Sequence, residues 1–274
     1  MTAPATPLET TSAMTPTDTP HGLAQRDSGH PHVALLVLQR PPYNHVDVPL
    51  MRTLADTLEL LDDDPDCRAV VLAAEGRAFC AGADFHSAAD ADSTRHPGEL
   101  YTHAMRLFDT RKPVVAAVHG AAVGAGLGLA VAADFRVTCA EARFSANFNR
   151  LGFHPGFGLS ATLPRLVGEQ AAALLFYTGR RIGGEESVRI GLADVLAPAE
   201  QVRQQALDLA AEIAESAPAA VQSTRATLRR GLADAVRALN RHERELQRVH
   251  FAMDDFREGV AAMAERRTPR FSGH

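Results

Sequence analysis

Short apolar runs recur along the first two thirds of the chain and predict strands. The run Val33 to Leu38 ends before Arg40-Pro41-Pro42, where proline stops a strand. Similar runs follow at 69–73, Val114 to Val118 and Phe135 to Thr138. Each run is short and apolar throughout, which is typical of strands that are buried on both faces.

Segments with helical spacing lie between these runs. Asp47 and Pro49 precede leucines that recur at intervals of three and four residues, so a helix is expected to start there; these are Leu50, Leu54, Leu58 and Leu61. Further helices are expected at 100–108 and 127–132. Strands alternating with helices indicate an α/β architecture with largely parallel strands.

The pattern changes at both ends of the chain. Residues 1–30 are rich in Thr, Pro, Ala and Ser and are predicted to be a disordered tail, and 31–198 form the core. Residues 199–274 predict three helical segments, separated by Pro218 and Gly231, with apolar faces such as that of Leu246. This helical region either packs on its own core or reaches a neighbouring subunit.

Composition narrows the classes of function. The 274 residues are 46% hydrophobic and carry a net charge of -5, so a basic stripe for nucleic acid is not expected. No window resembles a membrane span or a secretory signal, which predicts a cytoplasmic protein with no membrane partner. The three cysteines lie far apart without a CxxC pair, and no metal site is expected.

Two loops of small residues, 76–84 and 119–128, follow predicted strands and bring backbone N–H groups within reach of a ligand. Gly124, Gly126 and Gly128 do not make the GxGxxG pattern of dinucleotide binding, because Leu129 stands where the third glycine is needed. If Ala125 lies in the first turn of the following helix, its N–H is expected to have no partner within that helix. Together with the N–H of Ala83, it predicts an oxyanion hole.

These loops belong to a wider set of motifs, and with that set the chain resembles the crotonase superfamily, also called the enoyl-CoA hydratase/isomerase family. The motifs are Arg40-Pro41 with Asn44, 79–84, 112–120 with its glycine run, Ala133-Asp134, 151–158, 163–168 and 191–194. The resemblance implies a ββα spiral core with a C-terminal helical trimerisation region. It also implies an acyl-CoA substrate whose thioester enolate is held by the N–H groups of Ala83 and Ala125, and no cofactor beyond the coenzyme A of the substrate. The expected assembly is a homo-oligomer, a trimer or a dimer of trimers.

The chain departs from this family at the acid/base positions. Typical hydratases carry glutamates where this sequence has Gly128 and Phe148, and an alternative acid where it has Gly156. Neither glycine nor phenylalanine transfers a proton, so the two carboxylates that serve as general acid and base in adding water are missing. His154 is the proposed substitute base, since imidazole titrates near neutrality; the competing interpretation is a histidine that hydrogen-bonds its own loop. Isomerisation, hydrolysis, or acyl-CoA binding without catalysis are therefore open alternatives.

The resemblance also suggests where coenzyme A and the acyl group bind. Arg40 and Tyr43 lie on the loop expected to meet the nucleotide, and Arg266 on the last helix matches a cation that the family often supplies from a neighbouring subunit. An exposed arginine is equally typical of a solvated face. Four further positions are expected to contact the substrate: Ala81, Phe85, Gly124 and Phe148.

Other polar residues near the motifs have structural explanations. Asp84 and Asp134 are predicted to brace loops, and Cys80 is predicted to pack in the core because no base stands beside it in sequence. His45 and His119 are expected to make local contacts rather than to do chemistry.

Overall fold

The computed structural model describes residues 17–18, 21–83 and 98–274. The strands in these residues are β1 (Thr17–Asp18), β2 (Leu23–Arg26), β3 (Val33–Leu38), β4 (Ala69–Ala74), β5 (Ala78–Cys80), β6 (Val114–Val118), β7 (Ala121–Val123), β8 (Phe135–Thr138), β9 (Arg143–Ser145), β10 (Ile182–Gly183) and β11 (Val195–Leu196). The helices are α1 (Val48–Asp63), α2 (Gly98–Arg106), α3 (Ala125–Ala132), α4 (Leu159–Val167), α5 (Glu169–Thr178), α6 (Gly184–Arg189), α7 (Val202–Glu215), α8 (Pro218–Leu228), α9 (Leu232–His250) and α10 (Asp254–Ala264).

The strands form two sheets. The larger has the order β1-β2-β3-β4-β6-β8-β11, and the smaller has the order β10-β9-β7-β5. From β3 through β11 the neighbouring strands of the large sheet are parallel, and β5, β7 and β9 are parallel in the small sheet. The chain visits the large sheet, then the small one, and then a helix, which is the repeating order of the predicted ββα spiral.

The core lies on the large sheet. Every residue of β3 and β4 is buried, and α7 packs against β3, β4, β6 and β8. The helix α1 buries the leucines that the sequence pattern singled out, and Asp47 caps it by accepting a hydrogen bond from the N–H of Leu50 at 2.9 Å. The predicted alternation of strands and helices is therefore confirmed.

Two expectations about the chain ends need correction. Residues 23–26, assigned to the disordered tail, form β2 and pair antiparallel with β3. The C-terminal region holds four α-helices rather than three. The predicted breaks at Pro218 and Gly231 are present, since α8 begins at Pro218 and Gly231 directly precedes α9; the additional break lies at 251–253, between α9 and α10.

The C-terminal helices pack in part on their own chain. The helix α9 contacts α2 and α4, and α10 contacts the short 3-10 turn Asn147–Leu151. Several large apolar side chains of this region remain exposed: Leu228, Leu239, Val249 and Met263. In the described part of the chain, no helix has the length and apolar character that crossing a membrane requires.

Candidate active site

The first small-residue loop follows β5 and is held by the loop 40–46. The N–H of Ala81 donates to the carbonyl of Tyr43 at 2.9 Å, and the N–H of Val46 donates to the carbonyl of Gly82 at 3.0 Å. Gly82 has φ 115, a conformation that side chains rarely allow. Within the described residues the N–H of Ala83 has no acceptor.

Asn44 fastens these two loops together. Its side chain is fully buried; Oδ1 accepts from the N–H of Arg40 at 2.8 Å, while Nδ2 donates to the carbonyls of Glu75 at 2.6 Å and Ala78 at 2.7 Å. All of these partners are backbone groups. Asn44, which the family resemblance singled out, therefore shapes the loop that carries Ala83.

The second loop follows β7 and opens α3. Gly124 has φ 55, and its N–H donates to the carbonyl of Ser145 at 2.9 Å. Ala125 is the first residue of α3, so its N–H has no partner inside the helix. Elsewhere in the described chain it also lacks an acceptor.

The two loops lie against each other. Because β5 and β7 are parallel neighbours, the loops after them leave the sheet at the same edge. A Cβ atom on Gly82 would lie 3.4 Å from the carbonyl oxygen of Val123, and one on Gly126 would lie 1.9 Å from that of Cys80. The N–H groups of Ala83 and Ala125 thus lie on adjacent backbone segments. The N–H of Ala125 is at the N-terminus of α3, which favours negative charge nearby.

Phe148 borders the second loop. It lies in the turn Asn147–Leu151 and is 3% exposed. A Cβ atom on Gly124 would lie 3.9 Å from Cζ of Phe148 and 3.3 Å from Oδ1 of Asn147. The ring packs edge-on against Phe153, with centroids 5.5 Å apart. An apolar ring therefore stands where the family resemblance places a carboxylate.

A second aromatic residue, Phe157, fills the space beside Gly128. A Cβ atom on Gly128 would lie 2.4 Å from Cγ of Phe157, and the Phe157 side chain is fully buried. Phe157 packs edge-on against Tyr101 of α2 at 6.2 Å. Burial raises the pKa of the Tyr101 hydroxyl, which stays protonated. This wall of the site contains no carboxylate among the described residues that form it.

His154 lies in the turn before α4, beside α9. Its Nδ1 is 2.8 Å from the carbonyl of Pro155, and its own N–H donates to Nδ1 of His250 at 3.1 Å. The ring stacks on that of His250, with centroids 6.5 Å apart, and lies edge-on to His242 at 6.4 Å. These contacts are those of a histidine that bonds its own loop. Its role as a base stays a prediction.

The residues predicted to meet coenzyme A lie apart in sequence and have different local partners. Arg40 forms an ion pair with Asp47 at 2.7 Å, and Tyr43 is half exposed. Arg266 is exposed just after α10 and has φ 56. Phe85 and Asp84 lie outside the described residues.

The polar residues predicted to be structural have structural contacts where they are described. Asp134 accepts from the N–H of Val114 at 2.9 Å and pairs with Arg225 at 2.9 Å and Arg229 at 2.7 Å. Burial raises the pKa of the Cys80 thiol to about 12, so it is not a nucleophile at neutral pH.

Sequence reasoning missed residues that hold the 154–158 turn in place. Glu243 of α9 is fully buried and accepts hydrogen bonds from the N–H groups of Gly158 at 2.8 Å and Ser160 at 2.9 Å. Gln247 of α9 donates from Nε2 to the carbonyl of His154 at 2.8 Å. Both residues stand among charged neighbours in a polar segment, which gave no sign that they are buried.

The fold and the parallel loops at one sheet edge define an α/β protein of the crotonase type. The model of the enoyl-CoA hydratase/isomerase family matches residues 29–274, and the chain belongs to that family. It is 33% identical to the 2,3-dehydroadipyl-CoA hydratase of Escherichia coli (strain K12) over 243 residues, which are 88% of this chain and 95% of that protein. It is 32% identical to the crotonyl-CoA hydratase of Syntrophomonas wolfei over 244 residues, with coverages of 87% and 94%. The crystal structure of an enoyl-CoA hydratase/isomerase from Pseudoalteromonas atlantica T6c is similar with a TM-score of 0.82 and 29% identity, covering 92% of this chain and all of that one.

Proposed function

We propose that the protein acts on an acyl-CoA thioester by holding its carbonyl oxygen between the N–H groups of Ala83 and Ala125. The observation that carries this proposal is the contact of the two loops, with Gly82 beside Val123 and both N–H groups without an acceptor in the described residues. Two such donors stabilise the negative charge that grows on the oxygen when the thioester becomes an enolate.

The names of the relatives suggest the kind of acyl group. The Escherichia coli and Syntrophomonas proteins are named for 2,3-dehydroadipyl-CoA and crotonyl-CoA, both α,β-unsaturated thioesters. We therefore place the substrate of this protein among enoyl-CoA thioesters. Gly128 and Phe148 supply no proton-transferring group, so a reaction at the enolate uses another base, for which His154 is the candidate named by the sequence.

Coenzyme A itself is proposed to lie between the loop at Arg40 and Tyr43 and a cation at Arg266. Arg40 already neutralises Asp47, whereas no carboxylate pairs with Arg266 in the described chain. The site needs no cofactor beyond the coenzyme A of the substrate.

We also propose a trimer or a dimer of trimers, supported by the exposed apolar side chains of the C-terminal helices, such as Val249 and Met263. Light scattering that reports a monomer at every concentration contradicts this assembly.

The oxyanion proposal is tested by removing one donor. Ala125→Pro deletes the N–H, and proline is tolerated in the first turn of a helix. Ala125→Gly is the matched control, since it also changes the side chain but keeps the N–H. With a panel of enoyl-CoA thioesters, Ala125→Pro is expected to lose about 100- to 1000-fold in turnover while Ala125→Gly stays near the parent rate. A folded Ala125→Pro protein with full turnover rejects the proposal.

A second candidate function is acyl-CoA binding without chemistry. The apolar wall formed by Phe148, Phe157 and Gly128 favours it, because no carboxylate stands there in the described residues. Calorimetry with a saturated acyl-CoA and turnover with the enoyl-CoA panel separate the two functions. Binding without any product supports the second candidate.

A further inference from the structure

A cavity of about 310 Å³ opens between the start of α2 and one face of α9. Three arginines of α9 line it: Arg241, Arg244 and Arg248. Their spacing of three and four residues places them on one side of the helix. Glu245 adds one carboxylate to the lining. Three guanidinium groups against one carboxylate give the cavity a positive potential, which attracts an anion.

The three arginines of the cavity have no partner that offsets their charge. All three are exposed, and within the described residues none of them lies within ion-pair distance of a carboxylate, Glu245 included. Arg237 of the same helix differs, because it pairs with Asp109 and Asp234. Like charges three and four residues apart on a helix repel each other. An anion bound among the three guanidinium groups offsets this repulsion.

The contact between Arg244 and α2 brings two further positive groups together. A Cβ atom on Gly98, the first residue of α2, would lie 2.5 Å from Nη2 of Arg244, so the guanidinium lies directly against the start of that helix. The first N–H groups of a helix have no partner inside it and give its N-terminus a partial positive charge. Glu99 in this first turn pairs with Arg52 instead of Arg244. An anion at this point is attracted by both the guanidinium and the helix.

Gln247 adds an unpaired hydrogen-bond acceptor to the same cavity. It lines the cavity and is 1% exposed. Its Nε2 donates inwards, to the hydroxyl of Tyr101 at 3.3 Å and to the carbonyl of His154 at 2.8 Å. Its Oε1 is buried and has no hydrogen-bond partner in the part of the chain that the structure describes. A buried acceptor without a donor costs free energy, so the anion that fits this cavity is one that also carries a hydrogen-bond donor.

Buried side chains separate this cavity from the candidate active site. Behind Gln247 lies Tyr101, which packs edge-on against Phe157 with ring centroids 6.2 Å apart. Phe157 in turn fills the space beside Gly128. The side chains of Gln247, Tyr101 and Phe157 are each at most 3% exposed. A ligand of the cavity is therefore distinct from the acyl group, and it binds at the same time as an acyl-CoA thioester.

We propose that this cavity is a binding site for a phosphate group that carries a hydroxyl, as inorganic phosphate does near neutral pH. Its charged oxygens accept from the guanidinium forks and from the N–H groups at the start of α2. Its P–OH donates to Oε1 of Gln247. Sulfate and carboxylate ions also suit the arginines but have no proton to donate at this pH. The site does not depend on the proposed acyl-CoA function.

Calorimetry with the full chain tests this site, in a buffer free of phosphate and sulfate at constant ionic strength. The probes are inorganic phosphate, glycerol 3-phosphate and sulfate. Inorganic phosphate is expected to bind about tenfold or more tightly than sulfate, because only phosphate donates to Gln247 and hydrogen bonds of charged groups are the strong ones. Glycerol 3-phosphate separates the two sources of a phosphate group. Tighter binding than inorganic phosphate assigns the site to a monoester, and weaker binding assigns it to free phosphate.

Variants connect phosphate binding to the cavity. Arg244→Ala is expected to weaken it several-fold, and Arg244→Glu to abolish it. Gly98→Ala keeps every charge but displaces the Arg244 guanidinium from the start of α2, so it is expected to weaken binding as well. Gln247→Met removes the acceptor and is expected to lower the affinity for phosphate to that for sulfate. Arg189→Ala, which removes an exposed arginine on α6 that pairs with Glu186, is the control and leaves binding unchanged.

The remaining outcomes separate this inference from the proposed function. The absence of phosphate binding at millimolar concentrations overturns the site, and so does sulfate binding as tightly as phosphate. Phosphate is expected to bind with the same dissociation constant when the protein is saturated with hexanoyl-CoA. Displacement of phosphate by coenzyme A assigns the arginines to the phosphates of coenzyme A and overturns the inference. If phosphate binds but no acyl-CoA does, the acyl-CoA function is rejected and the phosphate site stands.

Discussion

Phe157 packs so closely on Gly128 that a single added Cβ atom would lie 2.4 Å from Cγ of the ring. Gly128 is the position where the family resemblance places a glutamate. The glycine is therefore more than a missing carboxylate, because a neighbouring aromatic ring has taken up the space that a side chain would need.

Gly128→Ala is expected to destabilise the protein by about 1–3 kcal/mol through overpacking against Phe157. A loss of stability identifies overpacking as the cause, because alanine in place of glycine in a helix otherwise stabilises the protein by about 1 kcal/mol. Urea denaturation measures the difference. In a Phe157→Leu background the same substitution should cost less, and additive effects of the two changes in a double-mutant cycle contradict the contact.

Glu243→Ala is expected to lower the free energy of unfolding by about 3 kcal/mol or more. The carboxylate is fully buried and accepts from the N–H groups of Gly158 and Ser160, and the substitution leaves these donors unpaired at the start of α4. Glu245→Ala, on the exposed face of the same helix, is the control and should change stability by less than about 0.5 kcal/mol. Equal losses in the two variants contradict a capping role for Glu243.

Most of the fold is predictable from sequence because it depends on local patterns. The run Val33 to Leu38 becomes β3 with the predicted ends, since burial on both faces makes every residue apolar. β2 escaped prediction because Leu23-Ala24-Gln25-Arg26 is half polar, and only its pairing with β3 makes it a strand.

The candidate site, too, is predictable from sequence only where it depends on local patterns. The small residues around Ala83 and Ala125 are visible in the sequence, because a loop that exposes its N–H groups needs them. That Phe157 fills the space at Gly128 is a contact between distant segments, and no spacing rule signals it. Gln247 and Glu243 lie in a polar helix segment that is typical of a solvated face, although both are buried. Gln247 donates to the carbonyl of His154, and Glu243 accepts from the N–H groups of Gly158 and Ser160; these backbone groups belong to another segment, which a sequence pattern does not reveal.

Stability is expected to fall as the pH drops below the ordinary histidine pKa of 6.5, in part through His250. Burial, followed by the nearby His154, lowers the pKa of His250 from that value. The folded state therefore favours the neutral imidazole, whose Nδ1 accepts from the N–H of His154. This contribution is fully present above the ordinary pKa and is lost as the pH falls through the lowered one.

The variant that tests this dependence is His250→Asn, which keeps an acceptor near the position of Nδ1 but does not titrate. Its stability should decline less on acidification from neutral pH than that of the parent protein, as measured by urea denaturation at each pH. His242→Asn removes a more exposed histidine of the same cluster and is expected to retain the parent's pH dependence. Identical pH profiles for the parent and His250→Asn reject the assignment.

Placing glutamates at positions 128 and 148 should not by itself create a hydratase. The double substitution Gly128→Glu and Phe148→Glu provides the carboxylates that orient water and deliver a proton, groups that contribute about 100- to 10,000-fold to such reactions. The Phe157 ring, however, leaves no room for even the Cβ atom of a side chain at position 128, so this variant is expected to lose stability and to gain little crotonyl-CoA hydration. Adding Phe157→Ala opens the space, and the triple variant is expected to hydrate crotonyl-CoA faster than the double variant and faster than Phe157→Ala alone.

Circular dichroism and unfolding curves must accompany the rates, because two neighbouring carboxylates repel each other, which raises the pKa of one of them. If the double variant is already as stable and as active as the triple variant, Phe157 does not obstruct a side chain at position 128. If the parent protein hydrates crotonyl-CoA at the rate of ordinary hydratases, glutamates at positions 128 and 148 are not needed.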